Sequence, residues 1–193
     1  MVDAADNDIL VYFVAKEGSD PIKGESSSAL GVGGVDAELM KNFKDGYYSE
    51  AETFSFTMDL GDDEGGVSIA LSDNRSFARW RGLTDASVTP DPPFRAEPGL
   101  VSITRMIDVS SPLLLEHCLK PAPFASVVVV KRAPRGTLGK MTVLMRLEFK
   151  RVFIQSIQWN DGDTVIETCQ FKFMSLDASY RKFKPNGNLD SIK

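Results

Sequence analysis

The chain has 193 residues, of which 42% are hydrophobic and 25% charged, and its formal net charge is -5. That length supports one domain with a sizeable core, and the composition argues against wholesale disorder. The acid excess, with a pI near 5.0, argues against a nucleic-acid binder, whose Lys and Arg would cluster on one face; here they are scattered among acids.

The acidic amino terminus, MVDAADND, lacks the basic n-region and small-residue cleavage site of a secretory signal, so no Sec-type export is expected. The apolar runs, such as Val127 to Val130, fall far short of the roughly 20 residues that span a bilayer, and no membrane insertion is expected. Cys118 and Cys169 stand among apolar neighbours in the sequence without CxxC spacing. They read as buried free thiols, in keeping with synthesis in a reducing cytoplasm.

Residues 9–15 read as an opening strand. Residues 16–48 shift to Gly, Ser and Asp, with GESSS and GVGG, and read as a loop insertion. A helical turn or two interrupts it at 36–43, where Asp36 caps and Leu39, Met40 and Phe43 share a face. GVGG is no phosphate cradle, because no Lys-Ser/Thr follows and no strand leads into it. Residues 51–60 alternate Phe54, Phe56 and Met58 and form a second strand. The acids that follow, Asp59, Asp62, Asp63 and Glu64, lack the terminal Glu of an EF-hand loop, so no metal is expected. A brief strand at 67–71 precedes a proline-rich excursion, and 61–99 as a whole reads as a second loop insertion. Loops beyond about 15 residues are usually functional or mobile.

Residues 100–107 form the strand that enters RMIDVSSPLLLEHCLK, at 105–120. Ser111 can cap a helix opening at Pro112, whose missing N–H would be unpaired there anyway. Leu114, Leu115, Cys118 and Leu119 fall at i, i+1, i+4 and i+5, one face of about two and a half turns. So short a helix is marginal alone and must bury that face against a sheet. The Val-rich run at 126–132 reads as a strand covered on both sides. At 141–149, Met141, Val143, Met145, Leu147 and Phe149 face one way; Thr142, Arg146, Glu148 and Lys150 face the other. Leu144 breaks the pattern. Two more strands, 151–159 and 164–174, are joined by a hairpin turn at Asn160 to Asp163. Residues 175–182 extend the last strand or pair elsewhere, and PNGNLDSIK is a polar tail. The pattern gives a mainly β fold of seven or eight strands with one central short helix. An antiparallel barrel or sandwich closes it, since an open sheet would leave exposed edges.

The chemistry-bearing residues are sparse. His117 and Cys118 are adjacent on the helix and point about 100° apart, so they form no nucleophile pair. No Gly-x-Ser-x-Gly elbow, Walker loop, HExxH or Cys/His metal spacing occurs, and no enzyme, cofactor or metal is expected. Trp80 and Trp159 read as core or interface residues.

From 100 to 188 the chain resembles the haemolysin-coregulated protein (Hcp) family, the tube component of bacterial type VI secretion. The residues that carry the resemblance are VSITRMIDVSSPLLLEHCL, where the family has a strand, an Arg/Lys-x-x-Asp, Ala/Ser-Ser-Pro and a Leu-rich helix. PFASVVVVKRAPRG, MRLEFKRVFIQSIQW, VIETCQFKFMSLDASYR and KPNGNL follow in family order, and ILVYFVAKEGSDPIKGESS is similar to the family's opening. The resemblance implies an antiparallel β-barrel with one helix, here a single domain over 1–193 with insertions at 16–48 and 61–99. It implies a homohexameric ring with a central channel, stacked on itself into an expelled inner tube with a spike protein at the tip. Some members hold effector proteins in the channel. The implied location is the bacterial cytoplasm, then the exterior or a target cell, reached through the secretion apparatus without a signal peptide. Ring closure needs two different complementary surfaces per subunit. Arg146, Glu148, Lys150 and Arg151 are candidates for one of them, or form a solvated outer face. The alternative is a barrel that binds a small ligand in its interior and forms no tube.

Overall fold

The computed structural model describes residues 8–26, 39–40, 43, 46–59, 67–70, 97–120, 122–135, 140–183 and 189–192. In chain order the elements are β1 (Asp8–Val14), β2 (Ser49–Asp59), β3 (Val67–Ala70), β4 (Glu97–Met106), α1 (Ser111–Leu119), β5 (Phe124–Arg135), β6 (Lys140–Asn160), β7 (Ile166–Lys172), β8 (Ser175–Phe183) and β9 (Leu189–Ile192). Antiparallel pairing runs β5-β1-β2-β4-β7-β6, and β6 pairs again with β5, so six strands close a barrel. Closure removes the edges that an open sheet would expose. β3 lies on β2, β8 on β6, and β9 on β8.

β6 makes closure possible because it serves two neighbours in succession. Its first part pairs with β5 up to Val152, and its last part pairs with β7 from Phe153 onward. β7 and β8 run end to end along it, from Asn160 opposite Ile166 to Met145 opposite Tyr180. The sequence pattern suggested two strands, 141–149 and 151–159; the backbone runs them together and bends at Arg151, whose φ is 50°. A positive φ is unfavourable for a residue with a Cβ, and here it marks the change of partner. The tail likewise departs from its polar reading, since Leu189–Ile192 is a strand.

Period-two alternation sends Ile9, Val11, Phe13, Phe54, Phe56, Val101, Ile103, Val127, Val129, Met145, Leu147, Phe149, Cys169 and Phe171 into the barrel, all buried. Phe149 sits among Phe54, Phe56, Phe171 and Phe173, with ring centroids 4.9–6.0 Å away. The interior is a packed core. The intervening residues Leu10, Tyr12, Val128 and Val130 point outward, yet they too are buried, under Leu39, Met40, Phe43 and Tyr48. Phe43 stands edge-on to Tyr12 at 4.5 Å and 5.7 Å from Tyr48. Leu39, Met40 and Phe43, read as one face of a helical turn inside the first insertion, thus act with Tyr48 as a strap that covers the second side of the valine run. Its neighbour Gly24 is held by N–H bonding to the Gly46 carbonyl at 3.0 Å. A Cβ at Gly24 would lie 2.3 Å from the Tyr48 carbonyl oxygen, so only glycine fits.

The helix differs from its sequence reading in phase. Ser110 occupies the cap without a side-chain cap bond, Ser111 is the first helical residue, and Pro112 sits in the first turn. Leu114 is fully buried, Leu115 and Cys118 are half-buried, and Leu119 is 74% exposed. Ser111 and Leu114 are its buried residues, and the helix packs against β6. His117 stacks on Phe124 at 4.1 Å, away from nucleophile chemistry. Both cysteines are free. Asp36, Trp80, Asp62, Asp63 and Glu64 lie outside the described residues, as does the side chain of Asp59.

Candidate functional site

Alternation on β4 places Arg105 on the same inward face as Val101 and Ile103, and on β7 it places Glu167 with Cys169 and Phe171. Both charged side chains are fully buried, and the two residues stand directly opposite in the sheet. Arg105 donates to Glu167 Oε1 from Nε (3.0 Å) and Nη2 (2.7 Å), to Ser49 Oγ (2.7 Å) and to Ser111 Oγ (3.1 Å). Its Nη1 lies 2.9 Å from Asp108 Oδ2. Trp159 Nε1 donates to the other Glu167 oxygen at 2.9 Å. The Asp108 N–H donates to Ser111 Oγ at 3.2 Å, and Asp108 Oδ1 accepts from the Ser110 N–H at 2.8 Å.

Burial pushes the Asp108 carboxyl up. The Arg105 guanidinium and bonds from Ser110 and Ser49 outweigh it and hold the carboxyl below its usual value. The Cys169 thiol is pushed up to about 12 by burial, with Glu167 adding to the effect, so it carries no thiolate at neutral pH. The cluster is saturated by its own members. Its role is to fix the approach to α1: the Arg-x-x-Asp spacing is an ion pair, and the first helical serine is a ligand of the arginine. Glu167, Ser49 and Trp159 were missed in the sequence, although the parity of Glu167 with Cys169 and Phe171 already aims it inward.

The four candidate interface residues separate. Arg146 is half-buried and donates to the Leu39 carbonyl (3.3 Å), the Tyr12 hydroxyl (3.0 Å) and Glu148 (3.1 Å), so it ties the strap down. Glu148, Lys150 and Arg151 line a cavity of about 570 Å³ on the outside of the barrel, facing Tyr12, Val14 and the turn from Glu17 to Pro21. Lys150 pairs with Asp177 at 2.5 Å, and that bond raises its pKa. The groove carries both signs of charge. Among the described residues no group of three or more His, Cys, Asp and Glu is placed to hold a metal ion.

The opposite outer face is built differently. Thr53, Thr104, Thr168 and Gln158 form one cross-strand row over β2, β4, β7 and the end of β6; Ser55, Ser102, Gln170 and Ser156 form the next. All eight are exposed or half-buried. The Thr104 and Thr168 hydroxyls are 3.3 Å apart, and Ser156 Oγ donates to Gln170 Oε1 at 2.9 Å.

Six antiparallel strands closed on a filled core, with a short helix inserted between β4 and β5, define the class: a small antiparallel barrel with a packed interior. Residues 92–180 match the model of the family described as type VI secretion system effector, Hcp. Its fold is similar to that of Hcp1 from the E. coli EAEC 042 pathovar, with a TM-score of 0.56 and 12% identity over 95% of this chain and 96% of that one. A type six secretion system protein gives a TM-score of 0.60 and 14% identity over 98% and 92% of the two chains. The secreted protein Hcp3 from Pseudomonas aeruginosa gives 0.53 and 11%, over 95% of each. At these identities the likeness is one of fold. No curated protein matches the sequence.

Proposed function

We propose that this protein is a structural component of type VI secretion: one domain over 1–193, with insertions at 16–48 and 61–99, that closes into hexameric rings. The rings stack on one another into the expelled inner tube behind a spike protein, and effector proteins ride in the channel. The observation that carries the reading is the family match over 92–180, which spans α1, β5, β6 and β7 and so includes the strand that closes the barrel. The packed interior supports a wall-forming unit over a small-ligand barrel, because the aromatic cluster around Phe149 occupies the space a ligand would need. The mechanism is mechanical and steric, with no covalent step. Cargo surface is shielded against the channel wall until the tube is driven out of the cytoplasm.

A cyclic ring joins two different surfaces of each subunit. The groove lined by Glu148, Lys150 and Arg151 is concave and carries both charges, which suits one half of such a contact. Light scattering across a size-exclusion peak tests the reading. Six 21.2 kDa chains give a ring of about 127 kDa. A single peak at the mass of one chain overturns the reading. Where the ring forms, Lys150→Glu with Arg151→Glu is expected to shift the peak toward single chains; an unchanged peak moves the contact away from the groove.

A further inference from the structure

The two rows of hydroxyl and amide side chains on β2, β4, β7 and β6 continue toward the helix end as Met106, Ile166 and Asn160, still without charge. Among the described side chains of these strands, exposed charge lies at the margins, in Glu50, Glu52 and Lys172. In a chain with 25% charged residues, these two rows hold none, while Arg105 and Glu167 of the same strands lie inside. Its eight row residues are exposed or half-buried, whereas the outward residues across the barrel are buried under the strap.

A surface of this kind holds nothing strongly. A charged wall retains ligands of the opposite sign, and an extended apolar wall retains any partner with apolar surface to bury. Hydroxyl and amide groups exchange bonds with water for bonds with a partner at a net gain of only about 0.5–1.5 kcal/mol each. We propose that this face, with Thr53, Thr104, Thr168, Gln158, Ser102 and Gln170 at its centre, is the wall that the ring turns toward its channel. It is a neutral lining along which protein cargo of either net charge can slide. The inference rests on the ring reading above and assigns the channel side of that ring to one face of the barrel.

The test places a single reactive thiol on the face, as Thr168→Cys or Ser102→Cys in the Cys118→Ser background; Cys169 stays, since burial keeps it inert. Each ring is treated with a small maleimide and, separately, with a maleimide carrying a bulky polymer, and the labelled fraction is read by mass. A lining position takes the small reagent on nearly every chain. The bulky reagent labels well under half of the chains in the ring, because six polymers compete for one channel, and nearly all chains once unfolded. Complete bulky labelling of the ring puts the face outside and overturns the inference while leaving the ring. A position closed even to the small reagent, or loss of the ring in both variants when the parent forms it, makes the face a subunit contact and overturns it equally. A parent chain that forms no ring overturns the function proposed above instead.

Discussion

The barrel has two outer faces with opposite solutions to the same problem. Across β1, β5 and the first part of β6, the outward residues include Leu10, Tyr12, Val128 and Val130, and a strap made by Leu39, Met40, Phe43 and Tyr48 is folded over them. Across β2, β4, β7 and the end of β6, they are Thr, Ser and Gln, and solvent is left as the cover. The interior is reversed. Beneath the covered face it is built from residues such as Ile9, Val11, Val127, Val129 and Leu147, and beneath the other face it holds the ion pair of Arg105 and Glu167. Strand alternation alone gives two sides. The residue type on the outward side decides whether a further layer is needed, since outward apolar groups gain about 25 cal/mol per Å² when covered and outward hydroxyls gain nothing comparable.

The largest effect expected from this contrast lies under the face of β2, β4 and β7. Glu167→Ala leaves the fully buried Arg105 guanidinium without the partner that takes two of its bonds, and removing one member of a buried pair costs about 3–5 kcal/mol. A urea midpoint that barely moves would show the cluster to be open to water. On the covered face, Phe43→Ala removes the ring wedged between Tyr12 and Tyr48, at a cost of about 2 kcal/mol. It should also speed proteolysis within 16–48, since the strap is held by that ring and by Arg146. Loss of stability without faster cleavage would mean that the strap is fixed elsewhere.

Acid provides a smaller, graded probe of the same cluster. The folded carboxyl of Asp108 is held below the usual 3.8, so its contribution is present above that value and disappears as the pH falls through the folded pKa. Stability measured by urea midpoints should therefore owe nothing to Asp108 titration from neutral pH down to the ordinary carboxylate range and fall below it. Asp108→Asn should flatten that acid limb. A limb equally steep in the variant would assign the acid sensitivity to other carboxylates.

Period-two patterns carried most of the fold in advance, because a strand's burial is set by side-chain parity: the strand positions, the doubly buried valine run and the outward placement of Arg146, Glu148 and Lys150 all follow from it. What parity cannot show is which remote segment returns to cover an outward face. Leu39, Met40 and Phe43 read as one face of a helical turn, but nothing in Tyr12 or Arg146 points to them as what that face covers, and the bond from Arg146 to the Leu39 carbonyl could not be read in advance. The helix face departs from its reading at both ends, for a different reason. Weighing leucines alone selects Leu119, whereas the buried stripe begins at Ser111, a polar residue made acceptable inside by its bond from Arg105. The candidate groove was legible only in its β6 half; the turn from Glu17 to Pro21 that completes it comes from a stretch with no pattern to read.

The least disruptive substitution discriminates most sharply between the two faces. Ser102→Lys places a charge at the centre of the neutral rows, where the side chain is half-exposed and its cross-strand neighbours are Ser55 and Gln170. No like charge opposes it, and a lysine stem can lie along the sheet with its ammonium in water, so stability should change by no more than about 0.5 kcal/mol. The equivalent change across the barrel, Val128→Lys, buries an ammonium under Met40 and Tyr48, and the several kcal/mol this costs should unseat the strap or the fold. If Ser102→Lys destabilises the isolated chain as strongly, the outer face of β4 is covered after all. If it is neutral for the chain but slows the transit of cationic cargo and retains anionic cargo, the absence of charge on this face serves passage and not folding.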